Sequence, residues 1–269
     1  MKYMVFLSVL FLSSSHAYAG DSRHTVYITN GEWPPFLSEH LPHFGYASHV
    51  ITEAFHSVGI EVEYGFFPWK RSYRYAKNGK DPTGKRWNGT AIWVYTDERA
   101  ESFHYTDPVV IDEEVLYSLR SKPVQWTQIE DLQGKRIGAT LHTVYPPLEA
   151  AEKKGVLVLT RAANYDLLFR RLLLGEVDAV PLTKRVALYF LHVSLSSSDR
   201  HKITYHPTVI QVRKYHLILS RVLEGNVELV DLFNEGLMRI EANGVLNDLT
   251  QKFEAGAYFP PDYESLDEE

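Results

Sequence analysis

The sequence predicts an α/β fold, because short apolar strands alternate with amphipathic helices along most of the chain. The first unit shows this pattern clearly. Residues 26–28 are typical of a strand, residues 47–58 place apolar side chains at helical spacing until Gly59, and residues 60–66 alternate as a strand does. A composition with 45% hydrophobic and 13% aromatic residues is sufficient for packed cores. Strands separated by helices favour parallel pairing.

The same alternation continues to the C-terminal region. Further strands are predicted at 90–94, 115–119, 136–139, 156–159, 178–181 and 215–219. Further helices are predicted at 69–77, 144–153, 165–174 and 184–191, followed by two C-terminal helices. The remaining polar stretches are interpreted as loops at 78–88, 122–124 and 195–201, and as a frayed acidic tail at 262–269.

The N-terminal residues indicate export. Lys2 precedes an apolar run at 3–12, and Ala17-Tyr18-Ala19 is a small-x-small pattern that signal peptidase accepts. We therefore expect a signal peptide at 1–19, cleaved after Ala19. The apolar run is shorter than the about 20 residues that span a bilayer, so we expect the mature chain to be soluble.

The cysteine content and the net charge limit the possible compartments and partners of the protein. The chain contains no cysteine, so it has neither disulfides nor the lipid-anchoring cysteine of a bacterial lipoprotein. An exported protein without a tether is retained only by a second membrane, which favours a Gram-negative periplasm, with secretion as the alternative. The formal net charge of −6 argues against nucleic acid or an anionic membrane as the main partner.

Motifs of the common enzyme classes are absent from the sequence. There is no Gly-x-Ser-x-Gly elbow, P-loop, dinucleotide fingerprint, His-Glu-x-x-His helix or calcium loop. The adjacent acids Asp112, Glu113 and Glu114 could act in acid–base catalysis, but such a run is more typical of a solvated surface.

The twelve histidines suggest a metal site only weakly. The best cluster combines His40-x-x-His43 with His49 and His56 on one predicted helix, and it lacks the three or four converging ligands that a metal ion requires. We interpret these histidines as surface or capping residues, and we expect no metal ion and no cofactor.

The segment 96–108 has the sequence TDERAESFHYTDP, which contains Thr-x-x-Arg followed by an aromatic residue, Thr, Asp and Pro. It resembles the bacterial extracellular solute-binding proteins, family 3, which are polar amino acid receptors of ABC importers. Four other segments match the family in the same order along the chain, and the resemblance covers residues 26–253. They are Trp33-Pro34-Pro35-Phe36, Asp131-Leu132-x-Gly134-Lys135-x-Ile137-Gly138, Gly175-x-Val177-Asp178-Ala179-Val180 and Ala242-x-Gly244.

The resemblance implies a two-lobed type II periplasmic-binding-protein fold, the Venus flytrap, in which each lobe is a mostly parallel sheet flanked by helices. Lobe 1 would comprise 20–112 and 214–269, and lobe 2 would comprise 113–213. The chain would cross between the lobes near 111–114 and 212–215. Ligand then binds between the lobes and favours the closed state.

The resemblance also implies that Arg99 binds the carboxylate of the ligand. A guanidinium suits this role because it is planar, permanently charged and able to donate two parallel hydrogen bonds to one carboxylate. The alternative is a surface arginine that forms an ion pair with Glu98 or Glu101.

Three tryptophans are further candidates. Trp33 and Trp69 occupy positions from which family members place aromatic rings against the ligand, where a ring face offers apolar area and attracts cations. Trp93 stands where small polar residues are common in the family, three residues before Thr96. Each of these tryptophans could instead belong to the core.

Two positions depart from the family pattern. Thr143 matches a Gly-Thr-Thr turn whose backbone amides also receive the carboxylate at a helix N-terminus, but the turn here is His142-Thr143-Val144. Thr183 stands where amino acid receptors place an aspartate that binds the α-ammonium group. Either another carboxylate such as Glu32 compensates that charge, or the ligand has no α-ammonium group.

These observations predict a monomeric periplasmic protein that captures a small polar, carboxylate-bearing molecule, an amino acid or a related compound, for an ABC importer. The partner could instead be a membrane signalling protein that senses the bound ligand. A dehydratase on the same fold is the third alternative, with Glu32 as the acid or base. Residues 80–85 resemble an insertion relative to the family, without an assigned role.

Overall fold

The computed structural model describes residues 25–141 and 143–259, and the α/β prediction is confirmed there. The predicted signal peptide 1–19, the acidic tail 262–269 and His142 lie outside the described residues. The strands are β1 Thr25–Asn30, β2 Glu61–Phe66, β3 Gly89–Trp93, β4 Phe103–Leu119, β5 Arg136–Thr140, β6 Val158–Ala162, β7 Val180–Thr183 and β8 Ile203–Ser220. The helices are α1 Tyr46–His56, α2 Trp69–Asn78, α3 Asp97–Ala100, α4 Pro146–Lys153, α5 Tyr165–Leu173, α6 Lys184–Ser194, α7 Ser197–Arg200, α8 Asn226–Ala242 and α9 Val245–Glu254.

Helix α1 shows how the sequence pattern becomes packing. Its apolar residues recur at helical spacing and therefore lie on one buried face, which packs against α8 and α9. The fully buried members of this face are Ala47, Val50, Ile51, Ala54 and Phe55. Burial of each larger side chain contributes about 2 kcal/mol, so the predicted periodicity accounts for the position of this helix.

The main sheet contains both parallel and antiparallel pairs, whereas the alternation of strands and helices predicts parallel pairing. Its strand order is β2-β1-β3-β8-β4-β7. Strands β2, β1 and β3 are parallel neighbours, whereas β8 and β4 are antiparallel to their neighbours. A second, parallel pair is formed by β5 and β6, and an isolated parallel bridge joins Ile137 of β5 to Ala179, just before β7.

The antiparallel character comes from β4 and β8, which are much longer than predicted. They pair from Phe103 opposite Ser220 to Leu119 opposite Ile203. The sequence pattern identified less than one third of each strand, residues 115–119 of β4 and 215–219 of β8. Pro108 in β4 and Pro207 in β8 interrupt the alternation farther along each strand. The register shifts at both places, as expected for proline, which cannot donate a backbone hydrogen bond within a sheet.

Strands β4 and β8 connect the two parts of the molecule. At one end of this long pair β8 pairs with β3, and at the other end β4 pairs with β7. The predicted crossover segments 111–114 and 212–215 lie opposite each other in the middle, with Ile111 opposite Lys214 and Glu114 opposite Gln211. The lobe boundaries themselves stay a prediction.

The interpretation of residues 112–114 as solvated surface is wrong for two of the three acids. Side chains alternate between the two faces of a strand, so Asp112 and Glu114 share one face, where they are only 4% and 3% exposed. Glu113 lies on the other face, is half-buried, and forms an ion pair of 2.6 Å with Lys184.

Two element boundaries also differ from the predictions. Helix α4 begins at Pro146 rather than at residue 144, because Tyr145 has a non-helical backbone and serves as its cap. The short helix α7 lies inside the predicted loop 195–201, where the Ser196 side chain accepts a hydrogen bond from the backbone N–H of Asp199. In the described residues, no helix is long and apolar enough to cross a membrane.

Candidate ligand-binding site

Four of the predicted site residues meet in a group that we call the tryptophan cluster: Glu32, Trp69, Trp93 and Arg99, together with Tyr73. The Trp69 and Trp93 rings are perpendicular, with centroids 5.3 Å apart, and Tyr73 packs on Trp93 at 5.2 Å. The Trp69 Nε1 group donates a hydrogen bond of 3.3 Å to the backbone carbonyl of Glu32. The cluster therefore joins the loop after β1, the start of α2 and the end of β3.

The position of Trp69 depends on a glycine. Trp69 is the first residue of α2, and its indole packs directly on the backbone of Gly31. A Cβ atom at Gly31 would lie 2.4 Å from two ring atoms of Trp69, closer than any tolerable contact. Only glycine allows this approach.

Arg99 is held on the face of Trp93. Its guanidinium carbon lies 4.9 Å from the ring centroid, a cation–π geometry, and Nη1 donates a 3.1 Å hydrogen bond to the Val94 carbonyl. The Thr96 hydroxyl caps α3 by accepting the backbone N–H of Arg99 at 3.2 Å.

The charge of Arg99 has no ion-pair partner in the ranges that the structure describes. Among the described residues, no carboxylate lies within 4 Å of its guanidinium, so the alternative ion pair with Glu98 or Glu101 is not formed. The Nε and Nη2 groups of Arg99 have no hydrogen-bond acceptor in the same part of the chain. These N–H groups are therefore available for the oxygen atoms of a ligand.

Trp33 lies outside the tryptophan cluster. Its ring packs edge-on against Phe36, at 5.4 Å, and against Tyr215, at 5.2 Å. Tyr215 is a buried residue of β8, in the predicted crossover segment. Trp33 thus belongs to a second group, the hinge group, which lies around the middle of β4 and β8.

The centre of the hinge group is a buried ion pair that sequence analysis missed. Arg213 Nη2 donates to both carboxylate oxygens of Glu114, at 3.1 and 3.3 Å, and also to the Val144 carbonyl at 2.7 Å. The Gln211 amide donates to the same carboxylate. Burial raises the pKa of Glu114, and Arg213 and Gln211 oppose that rise.

Thr143 adjoins the hinge group through the loop after β5. Its hydroxyl accepts a 2.6 Å hydrogen bond from Thr140, and its backbone carbonyl accepts Nη1 of Arg161 at 2.9 Å. Thr143 precedes α4 by three residues, and this helix begins with Pro146 and Pro147, which have no N–H. The role of the Thr143 turn in carboxylate binding stays a prediction.

Thr183 is the last residue of β7 and lies opposite Glu114. It is only 3% exposed, and its hydroxyl has no hydrogen-bond partner among the described residues. The nearby Asp112 carboxylate instead accepts the backbone N–H groups of Glu113, at 2.9 Å, and Arg185, at 3.1 Å. Burial raises the pKa of Asp112, and Arg185, followed by Thr183, opposes that rise.

Glu32 is exposed, and its side chain is turned towards its own loop. The Oε1 atom accepts the backbone N–H of Glu39 at 2.9 Å. Among predicted site residues, Glu32 is therefore the one whose functional group is most accessible to solvent.

Several tyrosines complete the hinge group and were also missed. Tyr145 is buried, hydrogen-bonds with Thr140 at 3.1 Å, and has the Arg161 and Arg213 guanidinium groups 5.7 and 5.8 Å from its ring centroid. Tyr165 lies close enough to interact electrostatically with Tyr145, and burial raises its pKa well above the usual value. These residues come from separate segments of the chain. No local sequence pattern therefore indicated in advance that they lie together.

No group of three or more potential metal-ligating side chains occurs in the ranges that the structure describes. The predicted insertion 80–85 forms an ordered turn there. The Asp81 carboxylate accepts hydrogen bonds from the backbone N–H groups of Thr83 and Lys85 and from the Trp87 indole. The turn is not part of either group of site residues.

Together, the two parts joined by β4 and β8 and the polar and aromatic groups around that junction define a hinged two-lobed binding protein. The chain belongs to the bacterial extracellular solute-binding proteins, family 3, whose family model matches residues 26–256. The type II periplasmic-binding-protein fold predicted from the sequence is thereby confirmed.

Solved structures show the same fold at low sequence identity. The second substrate-binding domain of Lactococcus lactis GlnP, in an open conformation, is 18% identical, with a TM-score of 0.64 over 86% of this chain and 96% of that one. A histidine kinase sensor domain with similarity to periplasmic binding proteins is 19% identical, with a TM-score of 0.62 over 86% and 96%. The ancestral amino acid-binding protein AncCDT-1, a precursor of cyclohexadienyl dehydratase, is 17% identical, with a TM-score of 0.59 over 85% and 94%. No curated protein sequence matches the chain.

Proposed function

We propose that this solute-binding protein captures a small carboxylate-bearing ligand in the periplasm and delivers it to an ABC importer. The observation that supports the proposal most directly is the Arg99 guanidinium, which lies on Trp93 without an ion-pair partner among the described residues. A partly enclosed cation of this kind is stabilised when a carboxylate accepts its free N–H groups.

The surrounding side chains suit a small ligand. Trp69 and Trp93 offer ring surface beside Arg99, while Trp33 lines the hinge group next to Tyr215. A ligand that contacts both groups would stabilise the closed arrangement of the lobes, because its contacts are complete only there. This is the behaviour that a transport receptor requires.

The periplasmic location and the transport partner rest on the family and on the N-terminal sequence. Members of the family are extracellular solute-binding proteins, and residues 1–19 have the pattern of a cleaved signal peptide. We expect the protein to act as a monomer that docks on an ABC permease.

The binding function can be tested with purified mature protein and a thermal-shift screen of amino acids, dicarboxylates, monocarboxylates and small peptides. Calorimetry on the best compound then compares the wild type with Arg99→Gln. We expect Arg99→Gln to weaken binding at least about tenfold, because charge-assisted hydrogen bonds to the carboxylate are lost.

Arg74→Gln is the matched control. Arg74 is an exposed arginine of α2 that lies 5.6 Å from the Tyr75 ring centroid, so the variant also removes an arginine next to an aromatic ring, but outside the site. We expect Arg74→Gln to bind with unchanged affinity. If Arg99→Gln also binds with unchanged affinity, Arg99 does not contact the ligand.

A sensing role is a second candidate, because the fold is shared with a histidine kinase sensor domain. The same ligand-bound state would then dock on a membrane signalling protein instead of a permease. Deletion of the gene separates the two roles. Loss of uptake of the labelled ligand supports transport, whereas unchanged uptake with loss of a ligand-dependent transcriptional response supports sensing.

A dehydratase is a third candidate, because the fold is also shared with AncCDT-1. The structure does not favour Glu32 as its acid, since this side chain is exposed and bonded to Glu39. The buried Glu114 has a raised pKa, but its carboxylate is already bonded to Arg213 and Gln211. We expect no decarboxylation on incubation with prephenate or arogenate, and measurable turnover would replace the binding proposal.

A further inference from the structure

We infer that the ligand is a monocarboxylate with an apolar or aromatic body and without an ammonium group. The inference rests on the proposed function, since it specifies the ligand of the same site. It follows from the charge balance of the two groups of side chains that surround the junction of β4 and β8.

Four carboxylates around the junction of β4 and β8 each have a cationic partner. The four pairs are Glu114 with Arg213 at 3.1 Å, Asp112 with Arg185 at 3.8 Å, Glu113 with Lys184 at 2.6 Å and Glu149 with Arg161 at 2.6 Å. Each of these ion pairs has no net charge, so it offers no uncompensated negative charge to a ligand cation. An ammonium group here would have to displace one of the protein's own cations.

The two most buried acids also accept hydrogen bonds at both of their carboxylate oxygens. Both oxygens of Glu114 accept from Arg213, and Gln211 adds a further donor. In Asp112, Oδ1 accepts the backbone N–H of Glu113 and Oδ2 accepts that of Arg185. An added ammonium donor would have to share these oxygens with the donors already present, next to a cation that already balances the charge of the acid.

Thr183 stands at the position where the family resemblance places the partner of a ligand ammonium group. Its buried hydroxyl is neutral and has no hydrogen-bond partner in the described chain, so it can bind a ligand oxygen but cannot compensate a positive charge. Glu32, the alternative partner, is exposed and bonded to Glu39. A contact with Glu32 would be screened by water.

The tryptophan cluster, in contrast, has one positive charge, that of Arg99, without a carboxylate partner in residues 25–141 and 143–259. A single ligand carboxylate would neutralise Arg99, and the rings of Trp69 and Trp93 would cover an apolar or aromatic body. A zwitterionic amino acid would neutralise Arg99 but bring a second uncompensated cation into the site. The charge balance thus favours the acid that lacks the amino group.

Matched pairs of ligands test this inference on the wild-type protein. We would measure affinity by calorimetry for 3-phenylpropionate against phenylalanine, indole-3-propionate against tryptophan, and 4-methylpentanoate against leucine. We expect the acid without an amino group to bind at least about tenfold more tightly in at least one pair. Tighter binding of the amino acid in every pair that binds would overturn the inference and leave the proposed function intact.

The probe 3-phenyllactate separates charge from size, because a hydroxyl replaces the ammonium group at the same carbon. We expect its affinity to match or exceed that of 3-phenylpropionate, since Thr183 can bond to the added hydroxyl. If phenyllactate and phenylalanine bind equally weakly, steric exclusion rather than charge explains the preference, and the charge argument fails. Absence of binding for all of these acids, with binding of an uncharged compound, would contradict the proposed function itself.

Thr183→Asp supplies the missing carboxylate and tests the position. We expect the variant to shift preference at least about tenfold towards the amino acid of a pair. The thermal unfolding of Thr183→Asp must first resemble that of the wild type. If the variant does not fold, the phenyllactate comparison on the wild type decides the inference.

Discussion

Arg213 on β8 donates from Nη2 to both carboxylate oxygens of Glu114 on β4, at 3.1 and 3.3 Å. The two residues are nearly enclosed, with side-chain exposures of 12% and 4%. Because the two residues lie on the two strands that join the parts of the molecule, the pair links β4 and β8 in the predicted crossover region.

Removal of one partner of the Glu114–Arg213 ion pair should strongly lower the stability of the folded protein. In Arg213→Ala the Glu114 carboxylate stays buried without its cation, so we expect the free energy of unfolding to fall by about 3–5 kcal/mol. Urea unfolding measures this change. The double variant Glu114→Gln with Arg213→Ala should recover part of the loss, since no buried charge remains.

Glu235→Ala provides the comparison for the buried pair. It breaks the exposed ion pair with Arg239 on α8 and should cost no more than about 1 kcal/mol. Equal losses in Arg213→Ala and Glu235→Ala would show that the buried pair contributes no more than a surface pair.

The buried His49 predicts a pH dependence of stability. Burial, with a contribution from His43, lowers the pKa of His49 to about 4 from its ordinary value of 6.5, and the ring is hydrogen-bonded to Tyr258 at 2.8 Å. A lowered histidine pKa means that the unfolded chain takes up the proton first. The stability contribution is therefore complete above pH 6.5 and is lost as the pH falls towards 4.

His49→Gln keeps a hydrogen-bonding side chain but does not titrate. Its unfolding free energy should decline less than that of the wild type between pH 6.5 and 4, with a difference of about 1–3 kcal/mol at the acid end. His40→Gln, at an exposed position of the loop before α1, should leave the slope as in the wild type. Parallel pH profiles for the wild type and His49→Gln would exclude the effect.

The contact between Gly31 and Trp69 predicts a binding defect from a single methyl group. Gly31→Ala places Cβ too close to the indole, so the Trp69 ring must leave its present position beside Trp93. We expect at least about tenfold weaker ligand binding and an altered tryptophan fluorescence spectrum.

Gly84→Ala is the matched glycine control. Gly84 has a positive φ of 88° but no atom within 4 Å of its Cβ direction, so the substitution should cost about 1 kcal/mol of stability and leave binding unchanged. A Gly31→Ala protein that binds like the wild type would show that Trp69 does not position the ligand.

Arg161 should order the loop that contains Thr143. Its Nη1 group donates to the carbonyls of Thr140 and Thr143, and Nη2 forms an ion pair with Glu149 of α4. Arg161→Ala should therefore increase hydrogen exchange of the amides at 143–145 and 148–149 at least about tenfold. Arg170 is an exposed arginine of the next helix, α5, and Arg170→Ala should leave these exchange rates unchanged. Equal exchange rates in Arg161→Ala and the wild type would show that Arg161 does not order the loop.

Local patterns predicted most of the elements near the tryptophan cluster. The spacing of apolar residues located α1 and α2, and the Thr-x-x-Arg motif predicted that Arg99 would be exposed to a ligand. The long strands β4 and β8 could not be located in full, because Pro108 and Pro207 interrupt the alternation while pairing with the opposite strand continues on both sides. The burial of Asp112 and Glu114 was not predicted either. The arginines that pair with them lie on α6 and β8, far away in the sequence.

The sequence by itself determined the α/β class, the family and the identity of Arg99 and the tryptophans as candidates, because periodicity and motifs depend on residues close together in the chain. Only the tertiary structure decided that Arg99 lies on Trp93 without an ion-pair partner among the described residues, that Trp33 belongs to a different group, and that Asp112 and Glu114 are paired with arginines. Charge compensation is a property of neighbours in space. Glu114 and Arg213 are 99 residues apart in the sequence, and folding alone brings them into contact.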